Sequence, residues 1–148
     1  MKKHKAYIFI IILVVLTGVA AFLHLSTREQ VPEHCVAVSY DGNIVYVDLD
    51  TLAYEHVSGV RINGKGEEKP VEGQGILLKD MLAQYEISYY KTISIISDDS
   101  YTANVDSTEV LEDGKVYLMY EEEELRLVVF GDTDSKRSVS NVVKIDIQ

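Results

Sequence analysis

Cysteine occurs once in the 148 residues, at Cys35, so no intrachain disulfide can form and the fold must be held by a packed core. None of the four histidines lies three to five residues from another, and one cysteine cannot complete a zinc pattern with them. G-x-S-x-G, H-E-x-x-H and C-x-x-C are absent, which removes common signatures of serine hydrolases, zinc peptidases and dithiol redox enzymes. Tryptophan is missing and proline occurs twice, so neither a proline-rich linker nor a low-complexity tract interrupts the chain. No Asp or Glu precedes Glu29.

What fills that acid-free beginning is a basic start at residues 1–5, with Lys2, Lys3 and Lys5, followed by the uncharged apolar run 6–25, "AYIFIIILVVLTGVAAFLHL". At ~1.5 Å of rise per residue such a run reaches roughly 30 Å as a helix, about one hydrocarbon core. The expectation is a transmembrane anchor with its lysines on the cytoplasmic side and an extracytoplasmic domain beyond. The alternative is a signal peptide cleaved at the small residues Gly18-Val19-Ala20-Ala21 and a secreted product. Residues 26–34, polar and containing Pro32, read as a linker, and 35–148 as one domain. All 24 acidic residues and only 11 of the 14 lysines and arginines lie beyond the apolar run, a net charge of −13. That charge repels nucleic acid and anionic lipid surfaces.

The domain alternates strand patterns with turn signals. "VAVSY" and "IVYVD" flank Asp41-Gly42-Asn43, a hairpin signature. "TLAYEHVSGVRING" reads as a strand ending at Asn63-Gly64-Lys65-Gly66. Strands are expected at "KTISIIS", "YTANV", "KVYLMYE", "ELRLVVFG" and "SVSNVVKIDIQ". "DSTEVLEDG" reads as a short helix capped by Asp106 or Ser107 and stopped at Asp113-Gly114. Strand-dominated α+β is the class these patterns imply.

Several features invite a functional reading, and each has a plainer one. Gly73-Gln74-Gly75 lacks the third glycine of a phosphate-binding loop, Leu78 standing in its place. The pair reads as a bend that lets Leu77, Leu78, Met81, Leu82 and Tyr85 pack as a helical stripe. Glu121 to Glu124 is a cation site or, on the plainer view, a solvated hairpin tip. Asp132 and Asp134 have D-x-D spacing, but Arg137 and Val143 occupy the positions where a calcium loop needs glycine and glutamate. Cys35 beside His34 is a reactive thiol or a packed residue opening a strand. Tyr89-Tyr90 and Tyr101 could line a shallow groove or simply cover strand faces.

"GILLKDML", residues 75–82, resembles the G-V-x-L-x-D-L-L segment of the molybdopterin-binding oxidoreductase domain of sulfite-oxidase type. In the same order, "VDLDTL" is similar to that family's short helical element upstream, "ISIISDDSYTANV" to its strand-turn-strand, "LRLVVFG" to its L-R-L-V-V-P-G, and "SVSNVVKIDI" to its closing strand. The resemblance covers residues 36–148. It implies a mixed α+β fold and, in active members, a molybdenum-ligating cysteine ahead of the G-V-x-L segment. The corresponding stretch here, "HVSGVRINGKGEEKPVE", has no cysteine. Phe130 replaces the family proline, Ser140 the lysine near the pterin phosphate, and a glycine- and proline-rich loop before "LRLVV" is missing. The implied function is a cofactor-free binding or accessory module, with an unknown protein or small molecule as partner. The alternative is a molybdopterin-dependent oxidoreductase or electron-transfer subunit, for which Arg126 and Lys144 would be the candidate cofactor-binding residues. A third reading is a structural accessory whose acidic face organises cations or a basic partner.

Overall fold

The computed structural model describes residues 2–26, 31–121 and 124–148, and the chain divides into two compact units, Met1–Gln30 and Val31–Gln148. The first is a single helix, α1 (Lys2–Ser26). Its described side chains include Ile10 to Leu16, Val19, Phe22 and Leu23, all exposed, and the Thr17 hydroxyl donates back to the Leu13 carbonyl at 2.8 Å. Among the described residues no helix is long and apolar enough to cross a membrane.

The second unit is α+β and dominated by strands. One sheet has the order β2 (Asn43–Asp48), β1 (Cys35–Tyr40), β9 (Val142–Ile147), β5 (Thr92–Ser97), β6 (Thr102–Asp106), with β1 and β9 parallel and the other pairs antiparallel. The other is antiparallel throughout, in the order β3 (Glu55–Ile62), β4 (Glu68–Leu77), β7 (Val116–Glu121), β8 (Glu124–Val129).

Local chemistry explains the connections. Asp41 (φ 49°) and Gly42 (φ 76°) both take positive φ, as a tight two-residue hairpin with the natural strand twist requires. In the β3–β4 turn, Asn63 Oδ1 accepts from the backbone N–H groups of Lys65 and Glu67, which fixes the reversal without a helix or bulge. Leu49–Thr51 forms a 3-10 turn capped by Asp48, whose carboxylate accepts from the Asp50 N–H at 3.0 Å. The strand expected from "TLAYEHVSGVRING" therefore starts only at Glu55. The last strand likewise starts at Val142, because Asn141 turns the chain at φ 52°. The helix α3 is a single turn, Ser107–Val110, that ends well before Gly114.

The main core lies where the inward residues of both sheets meet α2 (Leu78–Gln84) and α3: Val36, Val38, Ile93, Ile95, Val105, Val110, Leu118, Leu127 and Ile145 belong to it. Leu78, Met81 and Leu82 are the buried residues of α2, with Tyr85 partly buried beside them, as the helical stripe predicts.

The expected glycine bend is not there. Gly73 and Gly75 lie within β4, without positive φ, and β4 continues directly into α2. The missing side chain of Gly75 serves curvature instead. A Cβ on Gly75 would lie 3.1 Å from Val57 Cγ2 and 3.2 Å from Met119 Cγ, so the bare backbone is what lets these neighbours close over it. The second sheet rolls far enough for β3 to reach the residue after β8: a Cβ on Gly59 would overlap the Phe130 ring, 2.8 Å from its Cζ. Inside the roll sits a smaller core of Val57, Val71, Tyr117, Met119 and Val128, with Leu77 and Phe130 packed against it. The Tyr117 and Phe130 rings meet edge to face at 5.7 Å. Pro70 is tolerated in β4 because β4 pairs with β7 only through Gln74–Leu77, leaving its outer edge open at Pro70.

Candidate functional site

An open cleft of about 590 Å³ lies in the second unit. Five chain segments converge on it. Glu33, His34 and Cys35 come from the entry to β1, Leu49 from the 3-10 turn, and Asp98 from the turn after β5. Tyr120, Glu124 and Leu125 come from the β7–β8 hairpin, and Asn141, Val142 and Val143 from the entry to β9. Backbone bonds lock the rim: Leu49 N–H donates to the His34 carbonyl at 2.8 Å, and Asp98 N–H to the Asn141 carbonyl at 3.0 Å. His34 (φ 58°) and Asn141 (φ 52°) are both non-glycine residues in the left-handed region, so each entry turn is sharply set.

The floor is aliphatic and the wall anionic. Glu33, Asp98 and Glu124 contribute carboxylates, and no lysine or arginine lines the cleft. With its amide turned to donate, Asn141 places its nitrogen 3.0 Å from both Glu124 carboxylate oxygens and holds that group at the mouth. Behind Tyr120 stands Tyr54, their rings 6.3 Å apart. The Tyr54 hydroxyl is buried without a hydrogen-bond partner, and its pKa is pushed up to about 12 by burial, with Tyr120, Asp50 and Asp48 adding to the effect.

Cys35 opens β1 as expected, but it is half-buried on the cleft wall rather than inside the core. Arg126 sits on β8 opposite Met119, and Lys144 on β9 between Ala37 and Ile96, so the two stand in different sheets and neither lines the cleft. Among the described residues no cluster of three or more His, Cys, Asp or Glu is arranged to hold a metal ion. A cleft walled by carboxylates, with His34 but no lysine or arginine in its described lining, does not fit the phosphate of an anionic pterin, because like charges at short range repel across a partly desolvated surface.

Other sequence candidates resolve into structure. Glu121 and Glu124 pair across the β7–β8 hairpin, as a hairpin tip predicts; residues 122 and 123 lie outside the described residues. Asp132 is taken up by Arg137, which donates through Nε at 3.0 Å and also through Nη2. The same guanidinium clasps Glu109 of α3 at 2.6 and 3.0 Å, a partnership the sequence does not announce because 28 residues separate the two. Arg137 holds the Glu109 carboxyl below its usual range. Asp134 is lowered first by the backbone N–H of Lys136. The tyrosines expected to share a groove part company. Tyr90 lines a second cleft of about 520 Å³ beside Lys79, Asp80 and Leu111, while Tyr101 borders a small polar hollow and donates its hydroxyl proton to the Lys136 carbonyl at 2.7 Å. Tyr89 is 84% exposed.

No protein-family model and no curated protein sequence matches the chain.

Proposed function

We propose that the chain is a membrane-anchored extracytoplasmic binding module that uses a fold of the sulfite-oxidase molybdopterin-domain kind without its cofactor. Its ligand is a small molecule that brings positive charge, or only hydrogen-bonding groups, to the acidic cleft. One observation carries this reading: the cleft offers three carboxylates and an aliphatic floor, with His34 but no lysine or arginine among its described lining residues. Such a lining favours an organic cation with an apolar body over a phosphate-bearing cofactor. The helix α1, whose sequence begins with lysines and then displays Ile, Leu, Val and Phe to its surroundings, supports residues 6–25 as the anchor.

The test is made on full-length protein purified from a host that synthesises molybdopterin. The expected product is colourless, retained in carbonate-washed membranes, with far less than one molybdenum per chain and no pterin fluorescence after oxidation. Near-stoichiometric molybdenum that survives gel filtration would overturn the cofactor-free reading. It would point to a molybdopterin oxidoreductase with Arg126 and Lys144 as the first residues to replace.

A further inference from the structure

Three half-buried cations of the domain have carboxylates in reach: Lys79 meets Asp113, Lys115 meets Glu112 and Glu109, and Arg137 meets Glu109 and Asp132. Arg61 on β3, like Lys144 on β9, breaks this pattern. Arg61 is half-buried, yet among the described residues no carboxylate lies within ion-pair distance. Its Nε–H is buried with no acceptor at all, and its described hydrogen bond is a long one, Nη1 to Ser138 Oγ at 3.4 Å. A guanidinium carries five N–H donors in a rigid fork, so most of this one's capacity is unused. Leaving a charged donor buried and unpaired is among the costlier defects a fold can carry.

The surroundings add charge of the same sign. Arg61 stands directly opposite Lys69 in the β3–β4 register, so the two side chains share one face of the strand pair. Like charges in directly opposed positions repel. Glu67, on the turn joining these strands, accepts from Asn63 Nδ2 at 3.0 Å, and among the described residues it makes no ion pair with Arg61 or Lys69. An acidic domain with a net charge of −13 thus holds a small, uncompensated positive spot with a hydroxyl beside it.

We propose that Arg61, with Lys69 opposite and the Ser138 hydroxyl beside it, binds a small oxyanion, a carboxylate or phosphate-type group, through the free edge of the guanidinium. Two parallel N–H···O bonds from one guanidinium are the geometry that carboxylate and phosphate share. The incoming anion accepts from the outer Nη groups, the Nε–H being buried, and separates the two cations electrostatically. Repulsion from the rest of the domain is screened beyond ~8 Å at physiological ionic strength, whereas the contact itself is not. This site does not depend on the acidic cleft, and its ligand chemistry is the opposite.

Full-length protein in detergent micelles is titrated with sodium phosphate and, separately, sodium acetate, each against sodium chloride at matched ionic strength. The readout is the Arg61 Nε–H resonance, assigned by its loss in Arg61→Lys. A saturable shift with phosphate, acetate or both, absent with chloride, is the expected result, and the stronger anion identifies the group recognised. Amide shifts around Ser138 should saturate at the same concentration, weaken about tenfold in Arg61→Lys, where the charge remains but the fork is lost, and weaken less in Lys69→Ala. No saturable shift in the wild-type protein overturns the proposal, as does unchanged binding in Arg61→Lys.

Discussion

The two cores of the domain are built on opposite principles. The main core between the sheets is assembled from side chains: Leu, Ile and Val at alternating strand positions, closed by Leu78, Met81 and Leu82 of α2. The small core inside the rolled second sheet depends as much on side chains that are missing. Gly59 leaves room for Phe130, and Gly75 leaves room for Val57 and Met119, which is only 1% exposed. The first kind of core tolerates additions poorly because it is full. The second tolerates them poorly because the sheet curvature itself requires vacancies at named positions. A single chain therefore carries two different sensitivities to mutation, one to loss of volume and one to its gain.

The comparison breaks most visibly at Leu82. Leu82→Ala should cost about 2 to 5 kcal/mol, measured by urea denaturation, because it opens a cavity in a site with no free surface. A loss below about 1 kcal/mol would mean that α2 is not part of the main core.

Gly59→Ala should cost about 1 to 3 kcal/mol by overpacking against the Phe130 ring. Phe130→Leu in the same chain should recover much of that loss, whereas it should destabilise the wild-type background. Gly73→Ala is the control: its Cβ would meet Met119 Cε at an ordinary 3.5 Å, so the substitution should be near neutral. Equal losses at positions 59 and 73 would remove the special role given to curvature.

Acid should act outside both cores, at the clasp between α3 and the loop at Asp132. Because Arg137 depresses the Glu109 pKa, the clasp stabilises the fold above the unfolded carboxylate value of ~4.3 and is lost as pH falls through the lower, folded value. Denaturation midpoints measured from pH 6 to pH 2 should therefore fall on the acid side, and Glu109→Gln should flatten that limb. An unchanged slope would show that the clasp carries no linked proton.

The smallest effect is expected at Tyr54. Its hydroxyl is buried and unpartnered, so Tyr54→Phe should leave stability at pH 7 unchanged or slightly higher. In the wild-type protein the raised phenol pKa makes stability fall as pH rises from about 10 toward 12, since the unfolded chain ionises first. The variant should show a shallower alkaline decline, with Tyr90 and Tyr117, whose phenol pKa values burial also raises, supplying the remainder. A clear destabilisation at neutral pH would reveal a hydrogen bond to the hydroxyl.

Much of the main core was legible from local pattern alone. Asp41-Gly42 specifies its hairpin, and the spacing of Leu78, Met81, Leu82 and Tyr85 specifies the buried face of α2. The rolled core was not, because a glycine in a strand looks the same whether it bends the chain or admits a neighbour. Only Phe130, 71 positions after Gly59, decides between the two. The cleft was illegible for the same reason: Cys35, Asp98, Glu124 and Asn141 belong to four separate segments and carry no shared spacing. Arg137 was visible only as a residue unsuited to a calcium loop, since its partner Glu109 lies on another element. Arg61 gave no signal, because an unpaired donor is defined by what does not surround it.

The parallel pairing of β1 and β9 also sets a timetable. β9 is the last described strand to be synthesised, yet it lies between β1 and β5 at the centre of its sheet. Until residues 142–147 arrive, β1 with its hairpin partner and β5 with its own have no common neighbour, and the main core cannot close. Long-range pairing of this kind makes assembly late and cooperative. For a domain exported behind an amino-terminal anchor, as proposed above, that delay is an advantage. On that proposal the chain would stay threadable during passage across the membrane and gain its final shape once its central strand had followed it through.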